Sequence, residues 1–126
     1  MTLAGKEPLK KVGKVYFQFT IVKRKISLLF GIINEDGLSK QKDINDNAIS
    51  YNAYTGYIWE NNCDRSSGSS LNAGDSIQVV LDWDNKRMQW WKNREQLLGE
   101  TQLTEKFINK KVYMAITTYP NNTVEM

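Results

Sequence analysis

The side chains that could do chemistry are few and poorly grouped. Asp82 and Asp84 stand two apart, and paired carboxylates of this kind can share acid and base work on a glycosidic bond. They flank a polar bend between two β-prone segments, however. Asp in such a place stabilises the turn by accepting backbone N–H bonds, and this is the better reading. Asp43-Ile44-Asn45-Asp46-Asn47 imitates the opening of a calcium loop. Counting from Asp43, though, the sixth position is Ala48 where glycine is needed, and the twelfth is Tyr54 where glutamate is needed. The chain has no histidine, which removes Ser-His-Asp and Cys-His nucleophiles and His-based metal centres. Cys63 is the single cysteine; alone in a polar stretch it cannot complete a zinc site and reads as a passive surface thiol. Gly68 and Gly74 frame no strand-loop-helix unit for a phosphate. The inventory points away from an enzyme, and no catalytic residue, cofactor or metal is expected.

Aromatic residues carry more information. In Met88-Gln89-Trp90-Trp91 the two-residue period of a strand puts the tryptophans on opposite faces. Trp90 shares its face with Met88 and is expected in the core. Trp91 then points outward, either as an exposed anchor for a partner or covered by the N-terminal segment. Trp83 lies near a hairpin tip, and Tyr54, Tyr57 and Trp59 flank loops. As a group these residues would rim one recognition end of the molecule.

The elements that position them are short strands. Gly74 to Gly99 is the clearest stretch: Ile77, Val79 and Leu81 alternate with Gln78, Val80 and Asp82, Asp84-Asn85-Lys86 supplies a turn, and Met88 to Trp91 returns. Asn93-Arg94 makes a second turn before Leu97-Leu98-Gly99. Upstream, Val15, Phe17, Phe19 and Ile21 alternate with Tyr16, Gln18, Thr20 and Val22. Ile26 to Ile33 is an apolar run of strand length, and Gly31 inside it predicts a bulge or a close backbone approach. Residues 38–48 and the stretch from Glu60 to Gly74 read as polar loops. Ile49 to Ala53 and Tyr57 to Trp59 read as strands, Leu103 to Phe107 as a helical turn or irregular crossing. Val112 to Thr118 is a late strand, with Tyr119-Pro120-Asn121-Asn122 as the loop after it and Thr123 to Met126 opening another strand. Nowhere do apolar residues keep helical spacing beyond about two turns. The expectation is an all-β antiparallel two-sheet β-sandwich or barrel: a leader over residues 1–12 and one domain over 13–126.

At 126 residues one domain can bury an ordinary core. Lys and Arg total 17 against 14 Asp and Glu, a net charge of +3, and the basic residues are dispersed along the chain. That is too mild to imply nucleic acid or an acidic membrane. One cysteine, no signal-peptide run and no long apolar segment favour an intracellular protein without membrane insertion. Asn121-Asn122-Thr123 fits the glycosylation pattern, and in such a protein it reads as a polar loop.

Gly74-Asp75, Leu81-Asp82, Asp84-Asn85, Met88-x-Trp90, Asn93 and Val112-Tyr113 closely resemble the pattern of SPRY domains. Gly13-Lys14-Val15-Tyr16-Phe17 looks like that family's first core strand. Phe30-Gly31-Ile32 looks like its aromatic-Gly-aliphatic strand, and Ser50-Tyr51 with Tyr54 and Gly56 like its Ser-Trp-Gly-Tyr region. The chain departs from the pattern at three places: Arg94 stands for the usual turn glycine, Met114 for a frequent proline, and Asn52 for a common glycine.

The resemblance implies a bent, concanavalin-like sandwich. It also implies a non-enzymatic protein-protein interaction module that binds a protein or short peptide through loops at one end, as the recognition part of a larger protein such as a ubiquitin ligase. In SPRY adaptors of that kind an apolar residue and a Trp in the loop after the late strand contribute to peptide binding. The corresponding positions here are Tyr119 and Pro120, which keep an apolar contact and lose the indole. Asn45, Asn121 and Asn122 would add hydrogen bonds. Two alternatives stand beside this reading: a structural module packed in a large assembly through a sheet face, and a carbohydrate-binding sandwich.

Overall fold

In the computed structural model, which describes residues 2–22, 26–39, 47–60 and 63–120, the chain folds as a sandwich of two antiparallel sheets. The strands are β1 (Thr2–Ala4), β2 (Lys14–Thr20), β3 (Ile26–Asn34), β4 (Ala48–Asn52), β5 (Tyr57–Glu60), β6 (Cys63–Ser66), β7 (Ser76–Asp82), β8 (Arg87–Lys92), β9 (Gln96–Gln102) and β10 (Val112–Pro120). Two short helices, α1 (Glu35–Ser39) and α2 (Glu105–Ile108), complete the elements among the described residues. One sheet has six strands in the order β1-β10-β3-β4-β5-β6, the other four in the order β2-β7-β8-β9.

The alternation that predicts β2 and β8 is the alternation observed, and in β7 Ile77, Val79 and Leu81 point inward as expected while outward-facing Gln78 and Asp82 are buried as well. Ile77, Val79, Leu81, Met88 and Trp90 are fully buried between the sheets, while Lys14, Tyr16, Gln18 and Thr20 face solvent. Six-stranded partners Phe30, Ile32, Ile49, Tyr51 and Ile58 close the core from the other side. Burying this apolar face is what holds the two sheets together.

Gly31 is the close approach that the sequence suggests: a Cβ there would lie 1.8 Å from the Ile49 carbonyl oxygen on the neighbouring strand. Gly99 plays a similar part between the sheets, since its Cβ would meet Ser67 Oγ at 2.3 Å. A register shift between Trp90 and Trp91 in the β8–β9 ladder turns Leu98 inward, 2% exposed, and leaves Leu97 outward, 46% exposed.

Four features differ from the sequence reading. Residues 2–4 do more than lead into the domain, because β1 pairs with β10 at the edge of the six-stranded sheet. Cys63–Ser66, read as loop, forms β6 against β5. All four β6 side chains are exposed, so it shows no alternation for a sequence to betray. Residues 35–39, whose tail fell in an expected loop, form α1. Finally, Tyr119 and Pro120 continue β10, opposite Ser27 and Ile26; proline is tolerated at a strand end, where among the described residues no partner needs its missing N–H.

Candidate protein-interaction surfaces

Hydrogen bonds at the strand ends sort the loops into two groups. At one end, Ala53 N–H donates to Leu28 O at 2.8 Å, Leu71 N–H to Ala53 O at 2.8 Å, Gly74 N–H to Ile21 O at 2.7 Å and Asn93 N–H to Ser76 O at 2.9 Å. This end gathers the β4–β5 turn, the 67–75 loop, the β8–β9 turn and the close of β10. At the other end, Trp83 N–H donates to Gly13 O at 2.9 Å and Leu103 N–H to Lys86 O at 2.8 Å, and Asn34 N–H bonds Asn47 O at 3.0 Å.

Tyr54 and Tyr57 belong to the first end. Each is 42% exposed, and the turn that carries them is firmly built. Asn52 Oδ1 accepts from Tyr54 N–H at 2.9 Å and Thr55 N–H at 3.3 Å, an Asx turn. Gly56 sits at φ 78, its carbonyl taking bonds from Ser67 and Gly68. Behind the turn, Tyr51 is fully buried, donates its hydroxyl to Ser69 O at 2.7 Å and tilts against Trp90 at 5.9 Å between ring centroids. Burial pushes the Tyr51 hydroxyl up to about 12. The backbone of Tyr119 and Pro120 reaches this end through its pairing with Ser27 and Ile26; their side chains, like Asn45, Asn121, Asn122 and the Asp43–Asn47 stretch up to residue 46, lie outside the described residues.

Trp83 is a correction. It is only 7% exposed and sits at the opposite end from Tyr54 and Tyr57, so it rims no common surface with them. Lys11 Nζ lies 5.6 Å from its ring centroid, a cation–π distance, and donates to the carbonyls of Ile108 and Lys110. Desolvation lowers the Lys11 pKa, partly opposed by Glu35. The Trp83 Nε1 hydrogen is buried without a partner among the described residues.

Asp82 caps the same turn as the sequence suggests. Asn85 donates its backbone N–H to Asp82 Oδ1 at 3.2 Å and its side-chain amide to Oδ2 at 2.8 Å. These bonds, the side-chain one foremost, hold the Asp82 carboxyl below the usual carboxylate range. Asp84 is exposed and shares none of these bonds, so the two acids act as turn residues. Among the described residues no group of three or more His, Cys, Asp or Glu could hold a metal, and no helix is long and apolar enough to cross a membrane. Cys63 is exposed.

Trp91 lies half-buried on the outer face of the four-stranded sheet, in a shallow groove lined by Tyr16, Gln78, Val80 and Arg94. It is not covered by the N-terminal segment, which pairs along β10 in the other sheet. Its Nε1 donates to Gln89 Oε1 at 3.1 Å. Beneath the groove Gln78, 1% exposed, bonds Gln18 Oε1 at 3.0 Å and Ser76 Oγ at 2.8 Å, and accepts from Arg94 N–H at 2.7 Å. Tyr16, 51% exposed, is the surface aromatic that sequence reasoning passed over. The alternation of β2 already marked it outward.

No protein-family model and no curated protein matches this sequence. Solved structures do. The SPRY domain of human HERC1 superposes with a TM-score of 0.66 at 21% identity, covering 97% of this chain and 72% of that one. A second human SPRY domain gives a TM-score of 0.70 at 18% identity, over 95% and 78%. On these superpositions this chain has the SPRY-type β-sandwich fold.

Proposed function

We propose that this chain is a non-catalytic interaction module whose loop end receives a protein or short peptide. One observation carries the reading: Tyr54 and Tyr57 stand exposed on either side of a turn that is fixed by Asn52, Gly56 and the 67–75 loop. Rigid aromatic side chains on a preorganised scaffold lose little entropy on contact and suit interface anchors. Tyr119, Pro120, Asn121 and Asn122 extend that surface in this proposal. The finer role, a recognition part within a larger intracellular protein such as a ubiquitin ligase, follows from the resemblance.

The test is selection of binders from a random peptide library on the intact chain, followed by titration of variants. Tyr54→Ala, Tyr57→Ala and Tyr119→Ala should each weaken the selected peptides by roughly 1–2 kcal/mol with the thermal midpoint unchanged. Undiminished affinity in all three would sink the loop-end reading. A second reading, packing through a sheet face, is favoured by the Tyr16–Trp91 groove; peptides lost on Trp91→Ala and kept on Tyr54→Ala would select it.

A further inference from the structure

The two margins of the four-stranded sheet are built differently. Bonds at the ends of the β2–β7 pair, Trp83 N–H to Gly13 O and Ile21 N–H to Asp75 O, both 2.9 Å, fix the phase of an antiparallel ladder in which alternate residues bond across. Val15, Phe17 and Phe19 therefore exchange bonds with Leu81, Val79 and Ile77. The N–H and C=O groups of Lys14, Tyr16, Gln18 and Thr20 turn to the other side, where no described residue pairs with them. At the far margin the same phase turns the carbonyls of Leu98 and Glu100 outward, and these are occupied: Ser67 Oγ donates to Leu98 O and Arg65 Nη2 to Glu100 O, both at 2.8 Å.

The side chains tell the same story. Ile77, Val79 and Leu81 on β7 are completely buried, whereas their inward-facing neighbours Val15, Phe17 and Phe19 on β2 are half-buried. Three large apolar residues are exposed along this margin, Val12 at 80%, Tyr16 at 51% and Val22 at 78%. Edge strands are usually blunted by bulges, prolines or several charges. Here β2 pairs without a register shift over its whole length and carries one charge, Lys14.

We propose that the free edge of β2 takes up an extended partner segment of alternating apolar and acidic residues, as a fifth strand of this sheet. Its inward side chains would cover Val15, Phe17 and Phe19, and its backbone would satisfy the open row of amides and carbonyls. Charge sets the sign of the outward residues. Between residues 8 and 34 the sequence has Lys10, Lys11, Lys14, Lys23, Arg24 and Lys25 and no acid, and Arg94, held by Nε on Gln18 Oε1 at 3.0 Å, adds a guanidinium beside the same strand. A second copy of the chain would bring the same basic sequence rather than acidic residues to this strand, so self-pairing is disfavoured. The proposal concerns a surface separate from the loop end.

The experiment titrates the intact chain with a short synthetic peptide alternating Val and Glu, and with its Val–Lys counterpart, while amide exchange is followed residue by residue. The Val–Glu peptide should bind, protect the amides of Lys14, Tyr16, Gln18 and Thr20, and weaken as salt is raised. Lys14→Glu should lower its affinity roughly three- to tenfold. Tyr16→Pro removes an outward N–H without touching the β2–β7 ladder and should abolish binding; a peptide N-methylated on its backbone makes the same test from the ligand side, should that variant fail to fold. Tyr54→Ala should leave this binding unchanged. Equal binding of the Val–Lys peptide, protection confined to β6 or β9, or concentration-dependent dimers that protect β2 without peptide would each overturn the proposal, the last in favour of a second copy.

Discussion

Trp90 in the four-stranded sheet donates its indole N–H to the main-chain carbonyl of Phe30 in the six-stranded sheet, at 2.8 Å. The bond crosses the core and joins two strands that share no ladder. It also satisfies a polar atom on a side chain with no exposed surface.

Trp90→Ala should therefore destabilise by about 3–5 kcal/mol, chiefly through the cavity it leaves. Trp90→Phe should still cost roughly 1–3 kcal/mol, because the cross-core bond to the Phe30 carbonyl is lost along with the packing of the larger ring. Trp83 makes the contrast. Its buried Nε1 has no partner among the described residues, so Trp83→Phe removes a desolvated donor along with some packing and should stay within about 1 kcal/mol of the parent. Urea midpoints for the two Phe variants check the pair; equal losses would refute the different roles given to the two indoles.

Gly31→Ala should be far worse than an ordinary core change. The added Cβ would sit 1.8 Å from Ile49 O and 2.8 Å from Ser50 Cα, both backbone atoms that cannot swing aside. A loss of more than about 4 kcal/mol, or failure to fold, is expected. A soluble variant with the parent's thermal midpoint would contradict the strand spacing described at this point.

Arg94 holds a left-handed backbone, φ 61, next to Asn93 at φ 53. A residue with a Cβ is strained there by roughly 1 kcal/mol, so Arg94→Gly should be neutral to mildly stabilising even after losing the exposed bond to Gln18. Arg94→Val, β-branched at the same φ, should destabilise. Reversed ordering of the two midpoints would show that the side-chain bond, not the backbone, governs this turn.

Stability should fall at both ends of the pH scale. Tyr51 ionises near 10.0 when unfolded and near about 12 when folded; its contribution is complete below pH 10 and is lost as pH rises toward 12. Asp82 and Asp75 have folded pKa values held below the ordinary 3.8 by bonds from Asn85 and from Asn72 and Asn93. Their contribution is present above that value and is lost as pH falls through the lower folded one. Tyr51→Phe should flatten the alkaline limb while lowering neutral stability by about 1 kcal/mol, for the Ser69 carbonyl loses its donor. Asp82→Asn should flatten part of the acid limb. Midpoints measured across the pH range decide both.

Strands with one buried face were legible because alternation records burial directly: Phe17, Val79 and Trp90 fell where the period put them. β6 was not, since all four side chains from Cys63 to Ser66 are exposed. Its place is set by backbone pairing with β5 and by the Arg65 bonds to Glu60 and the Glu100 carbonyl, none of which leaves an alternating pattern. The surface aromatics were legible as types and misjudged as a group. Trp83 and Tyr54 both border turns, but which end of a sandwich a turn occupies depends on strand direction after the crossovers from β3 to β10 and β2 to β7, and local sequence carries no record of that. Tyr16 was the reverse case, marked outward by its neighbours Val15 and Phe17 yet counted only as part of a strand.

The unequal margins of the four-stranded sheet have a consequence for stoichiometry. With Arg65 and Ser67 seated on the carbonyls of Glu100 and Leu98, the β9 margin offers fewer open acceptors than β2, so the proposed partner strand adds at β2 in preference. Growth of this sheet from copy to copy is discouraged, where a sheet open at both margins would favour a fibre.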